Sequence, residues 1–401
     1  MNTDLTKLFS ERAKRIKPSA IRKMVPLLRE PGIISFAGGW PAADLFPTAE
    51  IAEITAHIMA HEGAAALQYG PSLGDDRLRQ QVLDRLARVY GLQAPLHEIM
   101  ITTGAQQALY LVAKVLLDEG DVVVVEAPSY VGVFSVFASF GGEVVSVPMD
   151  EEGLDTAALE ERLAAGLQVK MIYTVPDYQN PTGLSMSLAR RQKLVELAAQ
   201  YNFIIIEDAP YADLRYEGDP IAPLYTLDTH GHTVYVGSFS KIFAPMRVGW
   251  LIAPEALVAK AAVVKQPIDL CTPSLTQAIA YHYCQRGLLD TQIERTKALY
   301  KKKRDVLLGS LDRYMPAAVE WTNPQGGMFI WVTLPEQLTA EELLYEAIKD
   351  KVAFVIGSAF YPEGGDVLFN TLRLNFATPT EEQIEVGIKR LGDLFARHLS
   401  T

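Results

Sequence analysis

The feature that most constrains this chain is an alternation running from about residue 100 to 250. Short apolar runs, Val122–Val125, Met171–Val175, Phe203–Ile206 and Val234–Val236, are separated by longer stretches of helical period. The runs are continuous and rich in β-branched residues, as in strands covered on both faces of a parallel sheet. Between them, Ala105–Leu117 places Leu109, Val112, Ala113 and Leu116 on one stripe, and Leu188–Tyr201 follows a similar rule. This pattern predicts an α/β domain with a mostly parallel central sheet and right-handed crossovers.

After about residue 290 the texture changes. A charged helical stretch, Gln292–Asp312, precedes a strand around Met328–Val332, a helix over Ala340–Asp350, a strand around Thr371–Phe376 and a final amphipathic helix from near Thr380. That order predicts a smaller α+β domain. The expected division is 1–60 as an N-terminal arm and part of the small domain, 61–290 as the large domain, and 291–401 as the small C-terminal domain. A chain of 401 residues can build such a core unaided. No repeat or long linker interrupts it.

Charge and cysteine content narrow the classes of function. With 37 basic against 48 acidic residues the net charge is -11, which argues against nonspecific binding to nucleic acid or anionic membranes. The charged first 20 residues lack the apolar core of a secretion signal, and no stretch approaches the roughly 20 apolar residues of a membrane span. A cytoplasmic protein is expected. Cys271 and Cys284 cannot supply a disulfide framework and lack metal-site spacing. They read as two semi-buried thiols in a helical stretch, and no metal is expected.

Each apolar run ends in a polar cluster that a simple strand-to-helix turn would not require. The first runs into Ala127-Pro128-Ser129-Tyr130 and the second into Asn180-Pro181-Thr182-Gly183. The third meets Glu207-Asp208 and Tyr211, and the fourth Gly237-Ser238-Phe239-Ser240-Lys241. Ligands of open parallel sheets sit outside the carboxyl ends of the strands, so Tyr130, Asn180, Asp208, Tyr211, Ser238, Ser240 and Lys241 are expected around one crevice. No GxGxxG, Walker A, HExxH or GxSxG motif is present, which removes the usual support for hydride transfer, P-loop, zincin and nucleophile-elbow chemistry. A lysine beside hydroxyls, an aspartate and an aromatic instead suits a Schiff-base cofactor that carries a phosphate.

At this point the sequence resembles the class I aminotransferases of fold type I, which use pyridoxal 5'-phosphate, and is most similar to their 2-aminoadipate/kynurenine group. The resemblance runs from Ile34-Ser35-Phe36-Ala37-Gly38-Gly39 to Asn370-Thr371-Leu372-Arg373-Leu374. It is carried by Tyr-Gln-Asn-Pro-Thr-Gly (178–183), Glu-Asp-Ala-Pro-Tyr (207–211) and Gly-Ser-Phe-Ser-Lys (237–241) in that order. It implies that Lys241 holds the cofactor covalently and then shuttles the substrate α-proton. Asp208 would keep the pyridinium nitrogen protonated, and Tyr211 and Asn180 would share the ring 3-oxygen. Gly104, Ala105 and Gln106 open a helix whose N-terminus suits a phosphate, with Ser238, Ser240 and Arg247 completing the cup. Tyr130 would stack on the ring. Tyr69 would reach the phosphate of a neighbouring subunit, which implies a homodimer with shared sites.

On the substrate side, Arg373 would grip the α-carboxylate, since a guanidinium fork matches a carboxylate better than an ammonium does. Gly39 would let backbone approach the same group. Arg22 aligns with a helix that can contact the substrate side chain, and Trp40 adds an aromatic wall. One departure concerns Ala244-Pro245-Met246-Arg247, which is one residue shorter than usual and lacks the customary glycine. The implied activity is transfer of an amino group from an L-amino acid to a 2-oxo acid, 2-oxoglutarate first among them, in two ping-pong halves. A cyclase or lyase of the same fold is the alternative. A non-catalytic regulatory domain is disfavoured, because only about 30 residues precede the core motifs and Lys241, Asp208, Tyr211 and Arg373 are all present.

Overall fold

The computed structural model describes residues 4–16, 31–243 and 246–399. Strands are numbered in chain order: β1 (Ile34–Ser35), β2 (Ile99–Thr102), β3 (Val122–Ala127), β4 (Glu143–Asp150), β5 (Gly153–Leu154), β6 (Met171–Thr174), β7 (Ile204–Asp208), β8 (Thr233–Ser238) and β9 (Gly249–Ile252). Among the described residues, the last eight form one sheet in the order β2-β9-β8-β7-β6-β3-β4-β5. All four apolar runs named from the sequence are strands of its centre, where β8, β7, β6, β3 and β4 are mutually parallel.

From β3 the chain goes to β4 on one side, then to β6 on the other. The β3/β6 boundary is therefore the topological switch point, the place where α/β sheets open a crevice. Tyr130 follows β3 and Asn180 follows β6. Strand β9 runs antiparallel to both of its neighbours, β8 and β2. Two reversals return β2 to the common direction, so its carboxyl end lies at the same sheet edge as those of β6, β7 and β8. Neither β2 nor β9 was among the runs read from the sequence.

Helix Ala105–Leu116 leaves β2 through Gly104 and buries Ala108, Leu109, Leu111, Val112 and Ala113. Each buried leucine contributes about 2–3 kcal/mol, which anchors the turn in front of it. Helix Leu188–Tyr201 has the bounds read from its periodicity. Ser187 accepts from the Arg190 amide at its start, and Asn202 ends it in the left-handed region at φ 55°.

The remaining strands, β10 (Glu320–Trp321), β11 (Phe329–Thr333), β12 (Val352–Ala353), β13 (Val355–Ile356) and β14 (Thr371–Asn375), follow helix Leu288–Tyr314. Four of them form an antiparallel sheet ordered β10-β11-β14-β13. β12 instead pairs in parallel with β1, Ile34 opposite Val352, so the chain near residue 35 joins elements more than 300 residues away. Helix Thr48–His61 turns the other way and shares a core with helix Ser274–Gln285 through Ile54, Ile58, Ala278, Ile279 and Tyr283. The cysteines need a small correction. Cys284 is helical, but Cys271 lies in the break between helices Glu255–Asp269 and Ser274–Gln285. Among the described residues no helix is long and apolar enough to cross a membrane.

Candidate active site

The carboxyl edge of the sheet brings together the residues expected there. Asp208 ends β7 and is buried. Its Oδ2 accepts from the Tyr173 hydroxyl at 2.8 Å, while Oδ1 is buried without a hydrogen-bond partner among the described residues. Burial pushes this carboxyl up to about 6, although the Tyr173 hydrogen bond and the charge of Lys241 pull it down. A buried acceptor left open is costly unless something donates to it. The ligand that fits is therefore cationic and carries an N–H.

Lys241 stands three residues beyond β8. Its Nζ donates to the Gly39 carbonyl at 3.0 Å and lies 5.2 Å from the centre of the Tyr211 ring. Burial and the charge of Arg373 depress it to about 8, against the pull of Asp208. An amine so poised is about one-tenth neutral and nucleophilic at pH 7 and about half neutral at pH 8. Tyr211 is buried, meets Phe329 edge to face, and is raised by burial while its hydrogen bond to Asn180 works in the other direction.

Arg373, on β14, closes the crevice from the second sheet. Its Nη1 donates to Asn180 Oδ1 at 2.7 Å and its Nη2 to the Ala37 carbonyl at 2.8 Å; Nε is buried with no partner among the described residues. The guanidinium lies 4.3 Å from the Phe329 ring centre and 5.0 Å from that of Phe360, a cation held by aromatic faces. Burial lowers it to about 10. A guanidinium has five N–H donors, and those two hydrogen bonds leave donors in reserve for a carboxylate.

A second pole forms around Gly104. This residue has φ 75°, and a side chain on it would collide with the Arg247 guanidinium. Gly249, opening β9, approaches it from behind: a Cβ there would stand 2.7 Å from the Gly104 carbonyl carbon and 2.8 Å from the Ala105 nitrogen. Ser238 Oγ donates to Ser240 Oγ at 2.8 Å, and Arg247 Nη1 donates to the same Ser240 Oγ at 3.2 Å. The helix N-terminus, two hydroxyls and an arginine thus converge as an anion cradle. The shortened segment still delivers Arg247 to it, with the residue itself at φ 52°. Ala244 and Pro245 lie outside the described residues. Tyr130 reaches the cradle as well, its hydroxyl donating to Gln106 Oε1 at 3.3 Å.

Two expected residues stand apart. Tyr69 is 79% exposed and Trp40 59% exposed, with the Trp40 ring packed over Gly38. Arg22 lies outside the described residues. Gly39 leaves open space, since the nearest atom to a Cβ there would be Phe329 Cζ at 3.9 Å.

Several contributors were missed. Tyr173 signals itself only as a hydroxyl-bearing residue inside an apolar run. Phe329 and Phe360 look like core. Lys265 and Asp269 are spaced i,i+4 and read as a surface pair, yet Lys265 is fully buried. Asp269 Oδ2 accepts from Thr103 Oγ1 at 2.9 Å and Gln107 Nε2 at 2.6 Å, bracing the Gly104 turn from behind. His57, Glu62 and His282 gather within 4.8 Å, but Glu62 is already engaged by Arg77 and His282.

Comparison with known proteins agrees with this geometry. Residues 33–391 match the family described as aminotransferase class I and II. The chain belongs to that family. It is 43% identical over 395 residues to aromatic-amino-acid aminotransferase 1 of Thermococcus litoralis, covering 97% of this chain and 94% of the relative. It is 41% identical to the 2-aminoadipate transaminase of Thermus thermophilus, covering 96% and 95%. Among solved structures, a kynurenine aminotransferase of Pyrococcus horikoshii, in complex with PMP, superposes with a TM-score of 0.95 at 41% identity over 99% of each chain. The protein is a pyridoxal-phosphate-dependent aminotransferase of fold type I. The open Asp208 oxygen, the depressed Lys241 amine and the cradle at Gly104 fit the pyridinium, aldehyde and phosphate of that cofactor.

Proposed function

We propose that this aminotransferase moves the amino group of an L-amino acid with an aromatic, aliphatic or 2-aminoadipate-like side chain to 2-oxoglutarate, in two ping-pong halves. The observation that carries the reading is the set Asp208, Lys241 and Arg373: a buried carboxylate oxygen left open, an amine depressed by burial and a guanidinium with an open Nε, together matching a pyridinium, an aldehyde and a carboxylate. The relatives named for aromatic amino acids and for 2-aminoadipate support the donor range.

The bound cofactor supplies an electron sink for charge developing at the donor's Cα. Asp208 holds the proton on the ring nitrogen, and the buried Tyr173 hydrogen bond fixes the carboxylate that does so. Arg373 binds the donor's α-carboxylate and orients the Cα–H bond toward Lys241. Lys241 Nζ takes that proton and returns it, which its depressed basicity allows near neutral pH. Tyr211 and Asn180 hold the ring oxygen. Gly104, Ala105, Gln106, Ser238, Ser240 and Arg247 hold the phosphate, and Tyr130 covers the ring. Gly39 leaves room for the carboxylate, and Trp40 is proposed as a wall for the donor's side chain; Arg22, proposed for the same side chain, lies outside the described residues.

The working unit is a homodimer in the cytoplasm, with Tyr69 of each copy completing the phosphate site of the other. Tyr69 stands out with exposed Leu67; Ser274 Oγ donates to the Gln68 carbonyl beside it, and Ser72 Oγ donates to the carbonyl of the exposed Leu270. Such an apolar surface calls for a partner. The proposed division is 1–60, 61–290 and 291–401; the β1–β12 pairing supports grouping the chain near residue 35 with the small domain, while helix Thr48–His61 packs with helix Ser274–Gln285 of the large one.

The test is an absorbance spectrum of the loaded protein with single L-amino acids and no oxo acid. Conversion of the visible band to the pyridoxamine form, reversed by 2-oxoglutarate, is the expected result. Release of ammonia, carbon dioxide or a cyclised product would move the assignment to a lyase or cyclase. A Lys241→Ala variant should keep its fold and lose both band and turnover.

A further inference from the structure

Within the segment Tyr-Gln-Asn-Pro-Thr-Gly the proposed chemistry uses Asn180 and leaves Gln179 and Thr182 without a role, although both are buried. Gln179 is saturated. Its Nε2 donates to Glu126 Oε2 at 3.0 Å and to the Pro128 carbonyl at 2.7 Å, and its Oε1 accepts from Thr182 N at 2.9 Å and Thr182 Oγ1 at 2.8 Å. Two amide hydrogens and two lone pairs are the whole capacity of the side chain. The backbone agrees, with Gly183 N donating to the Gln179 carbonyl at 2.6 Å.

Glu126 is the hub of this network. It is 1% exposed at the end of β3, where its Oε1 accepts from Thr174 Oγ1 and its Oε2 from Val175 N at 3.3 Å as well as from Gln179. All three groups donate, and the charge that acts on it is that of another acid, Asp208. A carboxylate kept in such a place is expensive. The two oxygens of the Glu126 side chain nevertheless meet all three converging donors.

We infer that Glu126 is the positioning residue for Asn180: through Gln179 it fixes the 179–183 turn so that Asn180 Oδ1 meets Arg373 Nη1. β3 and β6 flank the switch point, and Glu126 ties the exits of both. A swing of this turn would move at once the contact to Arg373 and the contact to Tyr211. The inference rests on the proposed roles of Asn180 and Arg373.

The test compares Glu126→Ala, Gln179→Ala, Asn180→Ala and the double variants Glu126→Ala/Asn180→Ala and Gln179→Ala/Asn180→Ala, each loaded with pyridoxal phosphate. Three quantities are read: the pH midpoint of the visible band, the amino-acid KM against kcat, and the cofactor dissociation constant. Glu126→Ala and Gln179→Ala should each raise KM about 10-fold and move the band midpoint in the same direction as Asn180→Ala. Cofactor affinity, set mainly at the Gly104 cradle, should change less than 3-fold. In the Asn180→Ala background, Glu126→Ala should add less than 2-fold.

Glu126→Gln should restore KM to within 3-fold of the natural enzyme. Val175 N and Gln179 Nε2 point at one oxygen, which glutamine can supply, and the Thr174 hydroxyl can turn to accept from its amide. Should Glu126→Ala not fold, Gln179→Ala against Asn180→Ala decides the matter. If Asn180→Ala itself leaves band and KM unchanged, the assignment of Asn180 fails and the inference with it. If Asn180→Ala acts but Glu126→Ala or Gln179→Ala adds its full effect on top, or shifts only stability, the positioning role alone is overturned.

Discussion

Asp208→Asn should stabilise the cofactor-free protein at alkaline pH while it cripples the enzyme. The Asp208 carboxyl is held at about 6 by burial, against an ordinary 3.8. A carboxyl whose folded pKa lies above its unfolded one binds its proton more tightly in the folded state. Its contribution is therefore intact below the unfolded value and lost as pH rises through the folded one. The full loss is about 3 kcal/mol, from roughly 2 units at about 1.4 kcal/mol each. Around 1 kcal/mol of it has gone by pH 4.5, leaving about 2 kcal/mol to disappear between pH 4.5 and 8. Asparagine can still accept from Tyr173 and has no charge to lose. The variant's stability advantage over the natural apoprotein should thus grow by about 2 kcal/mol from pH 4.5 to 8, trimmed by the lost attraction to Lys241. Urea unfolding of both apoproteins at the two pH values measures this; Glu207, which burial also raises, titrates alike in each and cancels, while Glu126 loses in the variant the small upward push of the Asp208 charge. Loaded with cofactor, the variant should lose at least about 100-fold in kcat, because the ring nitrogen no longer keeps its proton. A stability difference that does not change with pH, or an apo variant weaker than its parent at pH 8, refutes the reasoning.

Other expectations follow from the same geometry. The rate at which apoprotein captures pyridoxal phosphate should rise with pH around a midpoint near 8, where Lys241 becomes neutral. Because Arg373 lowers Lys241, Arg373→Ala should move that midpoint upward, and an unmoved midpoint would count against their coupling. The same variant should raise amino-acid KM about 100-fold, the roughly 3 kcal/mol of a charge-assisted pair, while cofactor affinity changes little. Arg373→Lys should recover only part of this, since an ammonium has no fork. Gly104→Ala places a side chain at φ 75° against Arg247, so it should weaken pyridoxal phosphate far more than unphosphorylated pyridoxal. Equal weakening of the two would show that the turn does not hold the phosphate.

What could be read from the sequence was what local pattern encodes. β-branched runs announced the four central strands, because a strand covered on both faces has no polar period to hide it. Helix Leu188–Tyr201 was legible at both ends, through the Ser187 cap and the left-handed Asn202. Strands β2 and β9 were not read, since each is a four-residue run that gains its place from antiparallel pairing, β9 between β8 and β2. β9 nonetheless decides where Gly104 lies, by reversing direction twice across the sheet. Phe329 and Phe360 were invisible as parts of the site for a similar reason. An aromatic packed in a core and one that holds an arginine have the same sequence signature, and the cation it serves lies on another strand. The role of Lys265 and Asp269 needed the fold too, because i,i+4 spacing says nothing about burial.

The charge pattern shows why such a site sits in a chain of this composition. Overall the protein carries -11, yet the crevice gathers Lys241, Arg247 and Arg373 around the single buried carboxylate of Asp208. Two of those cations are depressed in part by burial, and Lys241 also by its neighbours, so the empty fold holds like charges close together at some cost in stability. In the proposed roles, a dianionic phosphate at Gly104 and a carboxylate at Arg373 would relieve that repulsion, while a ring cation would satisfy the Asp208 oxygen that the protein leaves open. Binding therefore recovers free energy that folding gave up. The residues that weaken the cofactor-free protein are the ones that make it selective for an amino acid and a phosphate-bearing aldehyde together.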